Sequence, residues 1–387
     1  MPDWVPLVTD AGERARIAGL VREIVDAVDA FPVDAGDHMD LVDRALLHAY
    51  VDGDAGAHLG RAVEALRQPP RGTGLYGGIP RVGWAVAHLT EGDDADAIIR
   101  AVLATTSGTT TDEYDLISGW VGWGVLALEC GEAGGALARQ VLAQLEETAR
   151  PAPFGGVGWF TRPEQLTYSQ VEQAPEGYWN FGIAHGSAGV IALLARMIVW
   201  EIEVERVRAL LVPAVDGLIA SADGGAFGRW WTTSSQRGRS VAWCYGDLGV
   251  AGAVLDAAAV MDNARWREAG VAAARRTAAI AAEHSGVVDA GLCHGQAGAA
   301  HVLARLYQRT GDPELAAAAR RWLGNLLEER RTDPVAGFPV WRAYGPQGAG
   351  WEANTSLLEG ASGVALALQA AIDERDPLWD RLLLVDA

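Results

Sequence analysis

The 387-residue sequence predicts an all-α protein whose helices close into an α/α toroid, a ring of inner helices surrounded by outer ones. Three observations support this fold class. A glycine motif followed by an apolar helical segment recurs, amphipathic segments separate its copies, and the alternating β-branched runs typical of strands do not recur. Because no Pro/Ser-rich linker divides the repeats, we expect residues 1–387 to form one domain.

The repeat consists of two glycines three residues apart, followed by a run of small and aliphatic residues. Its six copies begin at Gly78, Gly119, Gly186, Gly246, Gly295 and Gly360. The runs are apolar on all sides, which predicts buried inner helices. The first copy has two extra residues between its glycines and contains Pro80 and Arg81, which we expect to affect packing or partners rather than chemistry.

Amphipathic segments with charged faces lie between the copies and suit an outer layer of helices. They span 132–148, 263–283 and 312–330. Residues 1–70 lack the glycine motif, but periodic runs near 11–30 and 40–66 could supply a seventh pair. The prediction is therefore a ring of six to seven helical hairpins.

Three long segments are too rich in proline, glycine and aromatic residues to be helical throughout. They span 151–180, 222–243 and 332–354. Each directly precedes a glycine motif, so parallel inner helices would gather the three segments at one mouth of the ring. Long loops of this kind are often functional, and their tryptophans suit peptide binding, which makes this mouth the candidate active site.

The composition excludes several classes of protein. The net charge is -19, with 50 acidic and 31 basic residues, and every basic residue is arginine. This balance argues against a nucleic-acid partner, which requires a basic surface. The sequence contains no apolar run long enough for a transmembrane segment, and we expect no signal peptide, because Met1-Pro2-Asp3-Trp4 is not a basic region followed by an apolar stretch. Three cysteines are too few for a disulfide framework, so we expect a cytoplasmic protein.

Two of the cysteines share one position in consecutive repeats. Cys244 lies two residues before Gly246, and Cys293 lies two residues before Gly295, with His294 beside it. In a closed ring such positions face the same end, so the two thiols and the imidazole can meet. Two Cys and one His form a zinc ligand set that leaves the fourth position open. The spacing alone also allows inert thiols in the core.

His185 and Asp115 occupy related positions at the same mouth. His185 precedes Gly186 as His294 precedes Gly295, and Asp115 lies four residues before Gly119. The alternatives are a structural histidine and an aspartate that caps a helix.

Trp243 and Tyr245 bracket Cys244 and belong to the candidate site.

The remaining cysteine and three of the other histidines fall outside this register. We expect structural roles for Cys130, His48, His88 and His301, which lie at the end of a predicted helix or within one.

Together these motifs resemble the lanthionine synthetase C-like family, the LanC cyclases of lanthipeptide biosynthesis. The resemblance extends from about residue 74 to residue 368. It rests on the sequences Trp-Cys-Tyr-Gly at 243–246, Cys-His-Gly at 293–295, Asn-Phe-Gly-Ile-Ala-His-Gly at 180–186, Asp-Leu-Ile-Ser-Gly at 115–119 and Ser-Leu-Leu-Glu-Gly at 356–360.

The resemblance implies an α/α toroid in which Cys244, Cys293 and His294 hold Zn²⁺, with an open position for a substrate cysteine. The implied reaction adds peptide cysteines to dehydroalanine or dehydrobutyrine and closes lanthionine or methyllanthionine rings. The substrate would be a dehydrated precursor peptide, and a lanthipeptide dehydratase would be the partner enzyme.

The remaining roles follow from the same resemblance. His185 would be the general acid, Asp115 would orient it or tune its pKa, and Tyr245 would assist by hydrogen bonding. The family often carries an arginine four residues before the first cysteine. Ser240 stands there in this sequence, which makes the preceding Arg239 the candidate for that role.

Two other classes of function remain open. A LanC-like scaffold could bind a modified peptide in a biosynthetic complex without closing rings. A toroid glycoside hydrolase could use carboxylates near Asp112, Glu113 and Asp115, but it leaves the two register-matched cysteines unexplained.

Overall fold

The structure is a computed structural model that describes most of the chain. The described residues are 4–34, 36–68, 72–166, 168–232, 235–236, 241–331, 335–345 and 348–386. The helices within these ranges are α1 (Ala11–Ala30), α2 (His38–Val51), α3 (Gly56–Ala65), α4 (Ile79–Leu89), α5 (Asp93–Ser107), α6 (Trp120–Glu129), α7 (Gly135–Thr148), α8 (Tyr168–Gln173), α9 (Ser187–Val199), α10 (Val204–Ala220), α11 (Asp247–Val260), α12 (Ala264–Ala278), α13 (Ala282–Ser285), α14 (Gln296–Thr310), α15 (Pro313–Glu328) and α16 (Ala361–Ile372).

Seven of these described helices form the inner ring, in the order α2, α4, α6, α9, α11, α14 and α16. Each packs on the next, and α16 returns to α2. Their Ala, Val, Leu and Gly residues allow burial on all sides, and every residue of α11 from Leu248 to Ala258 is buried. The predicted α/α toroid is therefore present. The described part of the chain contains seven helical hairpins, the larger of the two numbers expected from the sequence.

The outer layer consists of α1, α3, α5, α7, α10, α12 and α15 in the described residues. The N-terminal region differs from the predicted pair: α1 packs mainly on α16, whereas the second periodic run contains both α2 and its outer partner α3. Side-chain caps begin several outer helices; Asn263 Oδ1 accepts a hydrogen bond from Trp266 N at 3.1 Å. The predicted helix over 263–283 is interrupted after Ala278, which separates α12 from α13.

The long segments contain short strands that the sequence pattern did not reveal. The strands are β1 (Arg150–Pro151), β2 (Val157–Gly158), β3 (Phe160–Thr161), β4 (Tyr178–Asn180), β5 (Trp230–Trp231), β6 (Ser235–Gln236), β7 (Val340–Gly345) and β8 (Gly348–Glu352). All pair antiparallel, and β3-β4-β5-β6 form one sheet that joins the first two segments. Most of these strands have only two or three residues, too few for a visible alternation.

In the five regular motifs, the second glycine allows the preceding turn to lie against the first helical turn. A Cβ at Gly249 would be 2.2 Å from the carbonyl oxygen of Trp243, and a Cβ at Gly298 would be 1.9 Å from that of Leu292. Both distances are too short for any side chain. The recurring glycine therefore reports a close backbone contact at the start of five of the seven described inner helices: α6, α9, α11, α14 and α16.

Backbone hydrogen bonds join the turns of neighbouring repeats into a continuous belt. The bonds are Tyr76 N to Ile117 O at 3.1 Å, Leu116 N to Ala184 O at 3.1 Å, Ala184 N to Cys244 O at 3.5 Å, Cys244 N to Cys293 O at 3.2 Å, and Cys293 N to Leu358 O at 2.7 Å. Because each turn precedes an inner helix, the inner helices run in one direction and their starts share one mouth.

A buried ion pair closes the belt between the last turn and the first. Leu357 N donates to Asp43 Oδ2 at 2.7 Å, and Arg81 Nη2 donates to Asp43 Oδ1 at 2.6 Å. We call this junction the seam. Arg81 is fully buried, so the irregular first repeat serves packing, as its sequence indicated.

Residues 376–386, which we call the C-terminal plug, pack against the ring from the inside. Asp380 is fully buried and accepts hydrogen bonds from Arg305 Nε at 2.6 Å and Nη2 at 2.9 Å, with His301 Nε2 at 2.6 Å. Burial opposes ionisation of Asp380, but Arg305 and His301 outweigh it and lower its pKa to about 2. Within the described ranges, no helix has the length and apolar character needed to cross a membrane.

Candidate metal centre

Two adjacent turns of the belt bring together the three predicted metal ligands. Cys244 lies in the turn before α11, and Cys293 and His294 lie in the turn before α14. Their ligand atoms all lie within 4.8 Å of one another. The backbone sets this proximity, because Trp243 N and Cys244 N both donate to Cys293 O, at 3.0 and 3.2 Å.

Electrostatics favours an anion at this centre. A hydrogen bond from Cys293 lowers the pKa of Cys244 to about 5 against the opposing effect of burial, and His294 contributes in the same direction. The pKa of Cys293 is raised, because it shares its proton with Cys244 and is buried. The hydrogen bond to Cys244 also raises the pKa of His294. The site therefore concentrates thiolate character, which is what a soft cation requires.

The donor set fits zinc. Two thiolates and one imidazole are ligands that zinc prefers, and three protein ligands leave a fourth tetrahedral position for a substrate. Both cysteines are partly exposed and His294 is exposed, so a molecule at the mouth can reach the centre.

His185 and Asp115 form a hydrogen-bonded pair at the same mouth. Nδ1 of His185 lies 2.5 Å from Oδ2 of Asp115, while Asp115 Oδ1 accepts a hydrogen bond from Ser118 N at 2.7 Å. Asp115 therefore fixes the turn and orients the histidine; it is not the helix cap of the alternative interpretation, because the N-cap of α6 is Gly119. The His185 side chain is 42% exposed, which leaves its Nε2 accessible from the mouth.

The pKa of His185 is raised. Burial favours the neutral ring, but the hydrogen bond and charge of Asp115 outweigh it, and the charges of Cys244 and Glu113 add to the shift. The ring thus retains its proton to higher pH than an ordinary histidine does.

Aromatic residues from the β3-β4-β5-β6 sheet and from the turn before α11 line one side of this pair. The rings of Tyr245 and His185 lie 6.3 Å apart, and Asn180 Nδ2 donates to the Tyr245 hydroxyl at 3.1 Å. The guanidinium carbon of Arg229 lies 5.0 Å from the ring centres of both Tyr245 and Trp230.

Arg229 was missed by sequence reasoning, which proposed Arg239. Arg239 lies outside the described residues. Arg229 reaches the mouth because β4 pairs with β5, which places Asn180 opposite Trp230, and Phe181 N donates to Arg229 O at 3.1 Å. The sequence feature that could have indicated Arg229 is its position beside two consecutive tryptophans, in a segment that the sequence places at the mouth.

The structure does not support a catalytic position for Trp243. Its side chain is fully buried, and Nε1 donates to the carbonyl oxygen of Leu383 in the C-terminal plug at 2.8 Å. Trp243 therefore packs the ring behind the metal ligands. Cys130 ends α6 away from the ligand set, and burial raises the pKa of its thiol to about 12, in agreement with the structural role expected for it.

Replacing Asp115 with asparagine is expected to lower the pKa of His185. The amide oxygen can still accept the bond from Ser118 N, but the negative charge that stabilises the imidazolium is removed. NMR titration of the histidine rings measures this shift. Asp112→Asn is the matched control, because Asp112 is 85% exposed and should leave His185 unchanged. An unchanged His185 pKa in Asp115→Asn would contradict the assignment.

The fold and the site together define a class of protein: a ring of helical hairpins that carries a Cys₂His group able to hold a metal ion, and a His–Asp pair, at one mouth. Residues 50–384 match the family described as lanthionine synthetase C-like protein, and the chain belongs to this family. The solved structure of nisin cyclase is similar, with a TM-score of 0.73 and 16% sequence identity over 97% of this chain and 98% of that one. This similarity confirms the predicted toroid.

Proposed function

We propose that this protein is a zinc-dependent lanthipeptide cyclase. Its substrate would be a dehydrated precursor peptide supplied by a lanthipeptide dehydratase. One observation carries the proposal: the ligand atoms of Cys244, Cys293 and His294 lie close together at the mouth that also holds the His185–Asp115 pair. The chain that contains them belongs to the lanthionine synthetase C-like family. The absence of a nucleic-acid partner and the cytoplasmic location remain predictions from the sequence.

Zinc, when bound, would hold the substrate cysteine as a thiolate at neutral pH. Cys244, Cys293 and His294 are the residues that would hold the metal. Two adjacent turns of one hydrogen-bonded belt carry these ligands, so the protein presents them without a large rearrangement.

His185 would supply the proton that completes the addition. As the new C–S bond forms at the β-carbon, the alkene electron pair moves toward the α-carbon and its carbonyl, and the resulting enolate must be protonated. Nδ1 of His185 is held by Asp115, so Nε2 is the atom that can deliver this proton to the α-carbon. The substrate thiol releases one proton when it becomes a thiolate, and His185 regains one proton from solvent after protonating the α-carbon, so the overall addition neither consumes nor releases a proton.

Tyr245 would bind the peptide next to His185. Burial raises the pKa of Tyr245, so the phenol keeps its proton at neutral pH. Its oxygen accepts from Asn180, which leaves its own O–H free to donate to a peptide carbonyl. Trp230 and the positive charge of Arg229 extend this surface toward the loops.

The carboxylates of the hydrolase alternative are already engaged. Asp112 pairs with Arg162 at 3.1 Å, Glu113 accepts from Gln165 at 3.2 Å, and Asp115 holds His185. Glycosidase chemistry requires two carboxyl groups that face a bound sugar, and these contacts favour the cyclase instead.

Elemental mass spectrometry of the purified protein tests the metal. We expect Cys244→Ala and Cys293→Ala each to lower the zinc content by about one ion per chain. Cys130→Ala is the control and should keep the wild-type content, since that thiol lies outside the ligand set. A folded wild-type protein that contains no zinc would contradict the proposal.

Ring closure is tested with a dehydrated peptide and a thiol-alkylating reagent, because cyclisation leaves the mass unchanged. Wild-type protein should protect the peptide cysteines from alkylation. A protein that binds this peptide without protecting its cysteines would be the non-catalytic scaffold.

A further inference from the structure

A second group of metal-ligating side chains lies outside the cysteine centre. Asp29 belongs to the last turn of α1, His48 to α2 and His58 to α3, and their ligand atoms lie within 4.8 Å of one another. Oδ1 of Asp29 lies 3.0 Å from His48 Nε2 and 3.8 Å from His58 Nε2. His48 lies near the C-terminal end of its inner helix, so the group lies at the end of the ring away from the mouth.

His48 has the hydrogen-bonding pattern of a metal-ligating histidine. Its Nδ1 lies 3.0 Å from a carboxylate oxygen of Asp52, and its Nε2 lies within hydrogen-bonding distance of Asp29 Oδ1, at 3.0 Å, a contact that a bound metal ion would replace. Histidines that bind metals commonly donate their second ring nitrogen to a carboxylate, which fixes the tautomer and the orientation of the ring. The purely structural role that the sequence indicated for His48 does not account for the neighbouring His58.

His58 is partly buried, and its ring stacks on that of His48 with 4.8 Å between the ring centres. Among the described residues no group hydrogen-bonds its buried Nδ1, and Nε2 is too far from Asp29 for a hydrogen bond. Two ligands of one tetrahedral zinc ion lie roughly 3.4 Å apart, given bonds of about 2.0–2.1 Å. The separations of 3.0 and 3.8 Å from Asp29 lie on either side of this value.

The charges around the group are compatible with a cation. Asp29 and Asp52 supply negative charge. Arg44 lies 4.0 Å from Asp29, but its Nε is bound to Asp40 at 2.6 Å and its Nη2 to the carbonyl oxygen of Phe31 at 2.9 Å.

We propose that Asp29, His48 and His58 bind a second divalent transition-metal ion, with Asp52 as the residue that orients His48. Zinc is the expected ion, since imidazole and carboxylate donors suit it. The site would tie α1, the outer helix over α16, to the hairpin α2–α3. It rests on none of the arguments for the cyclase function.

Zinc titration of the metal-stripped full-length Cys244→Ala variant tests this site without the cysteine centre. By isothermal titration calorimetry we expect this variant to bind about one zinc ion and the double variant Cys244→Ala/His58→Ala to bind none. Adding zinc should also raise the melting temperature of the first variant but not that of the second. Cys244→Ala/His284→Ala is the matched control, because His284 is 73% exposed and remote from the group.

Circular dichroism of the zinc-free proteins shows that each variant is folded before it is titrated. Equal zinc binding by the variants with and without His58 would overturn the proposal. A dissociation constant above about 1 mM for zinc binding to Cys244→Ala would overturn the proposal as well, because such weak binding indicates an adventitious surface contact. Neither outcome depends on catalysis, so the proposal of a second metal site can be wrong while the cyclase proposal holds.

Discussion

Replacing His185 with alanine is expected to slow ring closure by roughly 10²- to 10⁴-fold, the usual contribution of a positioned general acid. The zinc content and thermal stability should remain those of the wild type. The side chain is partly exposed, its hydrogen-bond partner among the described residues is Asp115, and it is not one of the proposed metal ligands. The rate is measured as the loss of alkylatable cysteines in a dehydrated peptide.

Two further variants separate a proton-transfer role from a general effect on the site. Asp115→Asn keeps the hydrogen bond from Ser118 N but removes the negative charge that stabilises protonated His185. We therefore expect a smaller loss of the cyclisation rate than in His185→Ala and a pH–rate profile displaced to lower pH. His284→Ala, an exposed histidine on α13, should close rings at the wild-type rate. Wild-type cyclisation by His185→Ala would show that the proton comes from another group.

Replacing Asp380 with alanine is expected to have the largest effect on stability, a loss of roughly 3–5 kcal/mol. Asp380 is fully buried, and its removal leaves the guanidinium of Arg305 without its main partner and His301 without its hydrogen bond. Chemical denaturation monitored by circular dichroism measures the change in the free energy of unfolding. Asp112→Ala removes an exposed ion pair with Arg162 and should change stability by less than about 1 kcal/mol.

The same carboxylate predicts a dependence on pH. Its pKa is about 2 in the folded protein, below the ordinary value of 3.8. Its contribution to stability is therefore complete above pH 3.8 and is lost as the pH falls toward 2. The stability difference between the wild type and Asp380→Asn should shrink over this interval. A difference that stays constant would show that Asp380 does not supply it.

The ring and much of the candidate site could be predicted from the sequence because a local contact encodes them. The second glycine of the five regular motifs is required by a carbonyl that touches the first turn of an inner helix, as at Gly249 and Gly298, so the motif marks these turns. Counting from these glycines places Cys244 and Cys293 in equivalent positions. The belt of backbone hydrogen bonds makes those positions neighbours in space.

The features that escaped prediction depend on contacts between distant segments. Arg229 comes to the mouth through strand pairing too short to leave a pattern, while Trp243, adjacent to a ligand, turns inward to the C-terminal plug. The N-terminal helices carry no glycine motif, so nothing in their sequence shows that α1 covers α16. His58 was not recognised as a candidate, because its partners come from two other helices.

The seam at Asp43 has a consequence for how the ring forms and how long it lasts. Its bond to Leu357 spans 314 residues of chain, whereas the contacts within each helical hairpin are local. Local contacts form first in folding, and distant ones wait for loop closure, so the seam should be the last part of the ring to form. Interactions made after the folding barrier change the unfolding rate more than the folding rate. The lifetime of the closed ring would therefore depend on this junction and on the other contacts between the two ends of the chain, such as Trp4 Nε1 to Ala370 O, more than on how fast the hairpins assemble.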